Sequence, residues 1–196
     1  MDSNDAILRI DSAIRQIARA VTKGELGSCI GKEVSRYSIF ELQVIGGNVK
    51  RETDKLPFPY REKIRPFFDI QLFGMYHRLL VMYRSGSFTR MTKPINDIDM
   101  FTRYCEMLKT GCYSNEDASG SEFYLRDPAC TLFYYLISGF TMFVLDEPGH
   151  PVGTPFPGGF TVEKKGNDYF CPIRDKEEEI LFSICNFCPA KQMEGV

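Results

Sequence analysis

Residues 127–145 read DPACTLFYYLISGFTMFVL. Asp127 followed by Pro128 is a helix opening. A carboxylate can accept N–H groups of the first turn, and proline's fixed φ suits the first helical position. From Cys130 to Leu145 the run is apolar on nearly every face. A helix that is apolar all round belongs at the centre of a bundle. It is too short to be a membrane span. The longest apolar run, Leu132–Leu145, has 14 residues and includes Ser138, Gly139 and Thr141, against the roughly 20 that a bilayer requires.

Working back from this segment, other helices supply amphipathic partners. Residues 97–110 form a helix with Asp97 near its start and Gly111 just past its end. The segment 57–86 is helical with a broad apolar face of Phe67, Ile70, Phe73, Leu79, Leu80 and Met82; Pro66 kinks it or starts a new helix. Residues 1–22 repeat Ile7, Ile10, Ile14, Ile17 and Val21 at spacings of three and four, behind Ser3, Asn4 and Asp5 as N-cap oxygens. Residues 25–46 hold one or two shorter helices with Val34, Ile39, Leu42 and Ile45 facing the core. Gly46-Gly47-Asn48 breaks the pattern, so 47–57 reads as a loop. Residues 113–123, YSNEDASGSEF, read as another.

The 196 residues are 43% apolar and 26% charged, enough for one core-bearing domain, and the net charge is −2. A protein built around duplex nucleic acid normally carries a basic excess, so that class is set aside. The first residues are acidic and contain no hydrophobic block ending in small residues. No secretory signal is expected, and the cytoplasm is the expected location.

After residue 147 the character changes. Eight of the twelve positions in Pro148–Gly159 are Gly or Pro. Residues 160–163 and 169–171 read as strands joined by the turn 165–168, and an acidic helix is expected near 175–184. The fold class expected is mainly α: a helical body over 1–147 and an irregular, metal-stabilised β-hairpin cap over 148–196.

Seven cysteines are present, an odd number without a secretory signal, which disfavours a disulfide scaffold. Cys29, Cys105 and Cys130 fall in helical patterns and read as small buried side chains, while Cys112 has no obvious partner. Cys171, Cys185 and Cys188 lie together in the turn-rich cap. Cys185-x-x-Cys188 is the firmest element, because two thiolates at that spacing can bind one metal. Tetrahedral zinc wants four ligands. Cys171, ending a strand before Pro172, is the third, and His150 is the fourth, with Cys130 or Cys105 as competitors. A Gly-rich segment is costly to order, and structural zinc can contribute on the order of 10 kcal/mol. An iron–sulfur cluster is the alternative, resting on C-x-x-C followed by Pro189. Asp146 and Glu147 precede His150 and are candidates for a base or for orienting a metal-bound histidine. His77, mid-helix, reads as a surface or satisfied side chain. No Walker loop, G-x-S-x-G elbow or H-E-x-x-H pair occurs.

The elements Glu147-Pro148, His150-Pro151-Val152-Gly153, 155–160 (PFPGGF), Tyr169, Cys171-Pro172 and Cys185-x-x-Cys188 with Ala190-Lys191-Gln192 resemble the tail of an uncharacterised protein family from methanogenic archaea, a domain of unknown function. The resemblance implies archaeal origin and an anaerobic cytoplasm. It also supports treating His150, Cys171, Cys185 and Cys188 as one unit. Three functions follow as expectations. The first is an accessory or interaction protein with a closed zinc site and a protein partner. The second is a redox-responsive regulator of an anaerobic enzyme complex. The third is a metal-dependent enzyme with Glu147 or Asp146 as base.

Overall fold

The computed structural model describes residues 3–113, 127–178 and 180–195, with side chains from residue 7 onward. The expected loop at 113–123 and the N-cap oxygens of Ser3, Asn4 and Asp5 lie almost wholly outside what is described. The helical body comprises α1 (Ser3–Ile17), α2 (Lys23–Val34), α3 (Ile39–Lys55), α4 (Tyr60–Asp69), α5 (Met75–Arg84), α6 (Ile98–Tyr113) and α7 (Pro128–Gly139). Among the described residues no helix is long and apolar enough to cross a membrane.

Helix α7 is the centre of the bundle. Leu132, Phe133, Leu136 and Ile137 are at most 1% exposed, and the helix touches α1, α2 and α6. The Asp127 carboxylate accepts the Ala129 N–H at 2.7 Å, as the opening Asp-Pro predicts. The helix then widens into a π turn over Phe140–Val144, whose residues are all buried. Other starts are set by capping boxes: Thr22 with Glu25 on α2, and Ser38 with Glu41 on α3.

Several boundaries differ from the sequence reading. Helix α3 does not break at Gly46-Gly47-Asn48 but runs to Lys55. Two helical glycines cost about 1 kcal/mol each. The helix keeps its line because Ile45 and Thr53 are buried below it, and the Phe73 ring packs against Gly46. Pro66 neither ends nor restarts α4; the irregularity comes later, as a π turn over Ile70–Gly74 that joins α4 to α5. Helix α6 continues past Gly111 to Tyr113, and a Cβ at Gly111 would press on the Tyr135 hydroxyl of α7 at 2.7 Å. That glycine serves helix approach rather than a C-terminal turn. Ile39 and Val21, read as core, are 77% and 58% exposed.

In the cap, β1 (Glu163–Lys165) pairs antiparallel with β2 (Asp168–Cys171), as the hairpin pattern predicts, with β1 beginning three residues late. A third strand, β3 (Lys191–Gln192), adds parallel to β2. The acidic segment near 175–184 is not a helix. Among its described residues the bonds close i to i+3 turns, Ile180 N to Glu177 O at 3.0 Å and Ser183 N to Ile180 O at 3.0 Å. The cap rests on the bundle through Phe187, whose ring meets Tyr104 at 5.2 Å, and through the Tyr135 hydroxyl, which donates to Phe182 O at 3.2 Å.

Candidate functional site

Cys171 is fixed by its strand. It pairs in register with Gln192, and its carbonyl accepts the Met193 N–H at 3.0 Å. The Gln192 side chain ties the following turn, donating to Pro172 O at 3.1 Å and accepting from Asp175 N at 2.9 Å. Cys185 lies in a 3-10 turn over Ile184–Phe187 that begins with its N–H on the Ser183 hydroxyl at 3.2 Å. The turn closes with Cys188 N on Cys185 O at 3.1 Å. All three side chains are buried, at 3%, 4% and 6% exposure.

The groups facing the sulfurs are polar. Backbone N–H groups of Ile173 and Arg174 face Cys171, and the Arg174 guanidinium adds a favourable charge. The Gly149 N–H donates to the Cys188 sulfur at 3.4 Å, and Ala190 N–H faces the same atom. The Ser183 hydroxyl faces Cys185. These groups favour thiolates, but burial outweighs them. It raises Cys171 to about 11 and Cys185 to about 12, and moves Cys188 in the same direction. Without a metal, all three are neutral thiols at neutral pH. Cys185 senses both other sulfurs electrostatically, and Cys171 senses Cys188.

His150 follows the glycine that donates to Cys188. Its ring packs edge-on against Phe156, with centroids 5.5 Å apart. Burial lowers its imidazole to about 4, so it is neutral at physiological pH. As the side chains stand, no three His, Cys, Asp or Glu groups among the described residues are gathered closely enough to hold a metal ion.

The competing body cysteines face elsewhere. The Cys130 sulfur accepts from Asn48 Nδ2 at 3.8 Å, and Cys105 and Cys112 are buried along α6. Asp146 and Glu147 engage cations of the body. Asp146 pairs with Lys23 and accepts from Asn96 at 2.9 Å; Glu147 holds Arg78 through both oxygens at 2.9 and 3.0 Å. The sequence reading missed Arg174, Ser183 and Gln192 as supports of the thiols. Their signal is positional only, two or three residues from a cysteine or opposite one across a strand pair.

The family described as "Uncharacterized protein conserved in archaea (DUF2115)" matches residues 22–193. A UPF0305 protein of Methanopyrus kandleri is 32% identical over 137 residues, 69% of this chain and 86% of that protein. One of Methanocaldococcus jannaschii is 23% identical over 171 residues, 87% of this chain and 96% of that protein. Matches to UPF0305 sequence of Methanothermobacter thermautotrophicus are 46% identical over 57 residues and 38% over 92. Those two matches span 29% and 43% of this chain and 35% and 59% of the relative's length. No solved structure matches this chain.

Proposed function

The chain belongs to this archaeal family of uncharacterised proteins, and for it we propose a thiolate zinc centre in the cap, made by Cys171, Cys185 and Cys188 with His150 completing the shell. The observation that carries this reading is the set of backbone N–H groups aimed at two buried sulfurs, Ile173 and Arg174 at Cys171, Gly149 and Ala190 at Cys188. A neutral thiol is a weak acceptor. A metal-bound thiolate carries charge, and N–H groups around it are worth much more. The neutral state of His150 is the one that ligates. A closed shell of four protein ligands leaves no position for substrate. The centre is therefore structural, and the protein acts as an accessory factor whose fixed cap is presented to a protein partner. The carboxylates that an enzyme would use as base, Asp146 and Glu147, are instead engaged in clamping the cap's root to the bundle.

The test is metal analysis of anaerobically purified protein. About one zinc per chain is expected, lost in Cys171→Ser and Cys185→Ser and retained in Cys130→Ser. Absence of stoichiometric metal, or loss in Cys130→Ser as well, overturns the proposal. A second reading is an iron–sulfur cluster on the same thiols, favoured by Cys185-x-x-Cys188 followed by Pro189. Iron with acid-labile sulfide and a brown chromophore in place of zinc would select it.

A further inference from the structure

A second site, remote from the thiols in sequence and unrelated to metal, lies between α3 and the α4–π-turn segment. The two enclose a cleft of about 280 Å³. Its walls are apolar, made by Val49 of α3, Phe68 of α4 and Phe73 of the π turn. The chain builds this opening with irregular backbone. The Phe73 ring packs on α3 at Gly46, where even a Cβ would stand in ordinary contact at 3.5 Å. The π turn over Ile70–Gly74 supplies Phe73, and such turns are frequent at functional sites.

The charges around the cleft are arranged against the ordinary helical pattern. Lys50 and Asp54 stand four apart on α3, and Arg65 and Asp69 stand four apart on α4. Each spacing normally gives an ion pair within its own helix. Instead Arg65 crosses to Asp54, with Nη2 at 2.7 Å from Oδ1. Among the described residues this leaves Lys50 with no carboxylate and Asp69 with no cation within ion-pair distance. Both line the cleft, one from each helix. Arg65 lines it too, and its buried Nε has no hydrogen-bond acceptor.

We infer that this cleft binds a small α-amino acid with an apolar side chain. Its carboxylate meets Lys50, its ammonium meets Asp69, and its side chain lies among Val49, Phe68 and Phe73. A simple carboxylate would leave Asp69 unmatched, and a simple amine would leave Lys50 unmatched. A zwitterion answers both unpaired charges of the lining with opposite charge.

The experiment titrates L-leucine into the full-length protein and follows backbone amide shifts by NMR. Saturable shifts confined to α3, α4 and the π turn are expected, with affinity in the millimolar range that a ligand of this size permits. Two probes that each lack one charged group, 4-methylpentanoate and 3-methylbutylamine, bind about tenfold more weakly or worse. Lys50→Gln and Asp69→Asn each weaken L-leucine to a similar degree; both residues are exposed, so helical circular dichroism stays unchanged. Cys185→Ser keeps leucine binding, which separates this site from the metal centre. No saturable shifts, shifts located elsewhere, or equal binding of all three probes overturns the assignment.

Discussion

Asp146 is the non-glycine residue with positive φ among those described, at 56°. Aspartate tolerates that conformation better than most residues. Here it places a carboxylate on Lys23, whose side chain is only 7% exposed. Deleting one partner of a buried pair leaves the other charge without compensation, a loss of several kcal/mol when both are buried. Asp146 is itself 43% exposed, so solvent screens part of the effect. Asp146→Asn, which keeps the backbone preference, is therefore expected to cost about 2 kcal/mol in urea unfolding. Lys23→Met combined with it should recover most of that loss. A double variant no better than the single would show that the pair does not matter. Next to this lysine, a Cβ on Gly24 would press on the backbone oxygens of Phe88 and Met91, which cannot swing aside as a side-chain tip can. Gly24→Ala should destabilise by about 2 kcal/mol in the same assay.

Among the elements, α2 and α3 start with the same device, and it titrates. The Glu25 carboxylate accepts the N–H groups of Val21 and Thr22, and these bonds hold its pKa below the ordinary 4.5. A carboxyl group with a depressed folded-state pKa contributes its stability above the unfolded value and loses it as pH falls through the folded one. The urea midpoint should therefore decline as pH drops below about 4.5, and Glu25→Gln should shrink that decline. An unchanged acid limb in the variant would remove Glu25 as a contributor. The Asp127-Pro128 opening of α7 was legible because a cap is a local chemical event written in three or four residues; the capping boxes at Thr22 and Ser38 are equally local, yet the sequence reading did not pick them out. The central place of α7 was legible for a similar reason: Phe133 and Leu136 have no polar side to turn outward. What escaped reading was set by distant partners. Gly46 and Gly47 look like a break until Phe73, far along the chain, packs on Gly46. Strand β3 is two residues long and exists only as an addition to β2. The turn-rich cap that carries Cys171, Cys185 and Cys188 was legible from composition, but the surroundings of His150 were not, because its ring contact with Phe156 depends on how a Gly/Pro-rich loop folds back.

At the scale of the whole molecule, two kinds of attachment hold the cap. Its root is clamped by the ion pairs at Asp146 and Glu147, and its far end rests on α6 and α7 through Phe187 and Phe182. Between them the chain is held by burial of Val162 and Thr154 at 1% exposure, by the Tyr60 hydroxyl of α4 donating to Pro155 O at 3.1 Å, and by a few backbone bonds: Phe156 N to Phe160 O at 2.8 Å, Val162 N to Thr154 O at 3.1 Å and Met193 N to Cys171 O at 3.0 Å. With so many glycines in this segment, such bonds have a large chain entropy to offset. If a metal joins Cys171 to Cys185 and Cys188, it fastens this middle span to the docked 3-10 turn. A strong chelator, applied anaerobically, should then speed hydrogen exchange at the amides of Val162 and Met193 by tenfold or more, on the order of 1.4 kcal/mol of local opening. The amides of α7, buried in the bundle, should keep their protection. Uniform acceleration through α7 would mean that cap and bundle open as one unit, and no change anywhere would mean that the cap does not depend on a metal for its order.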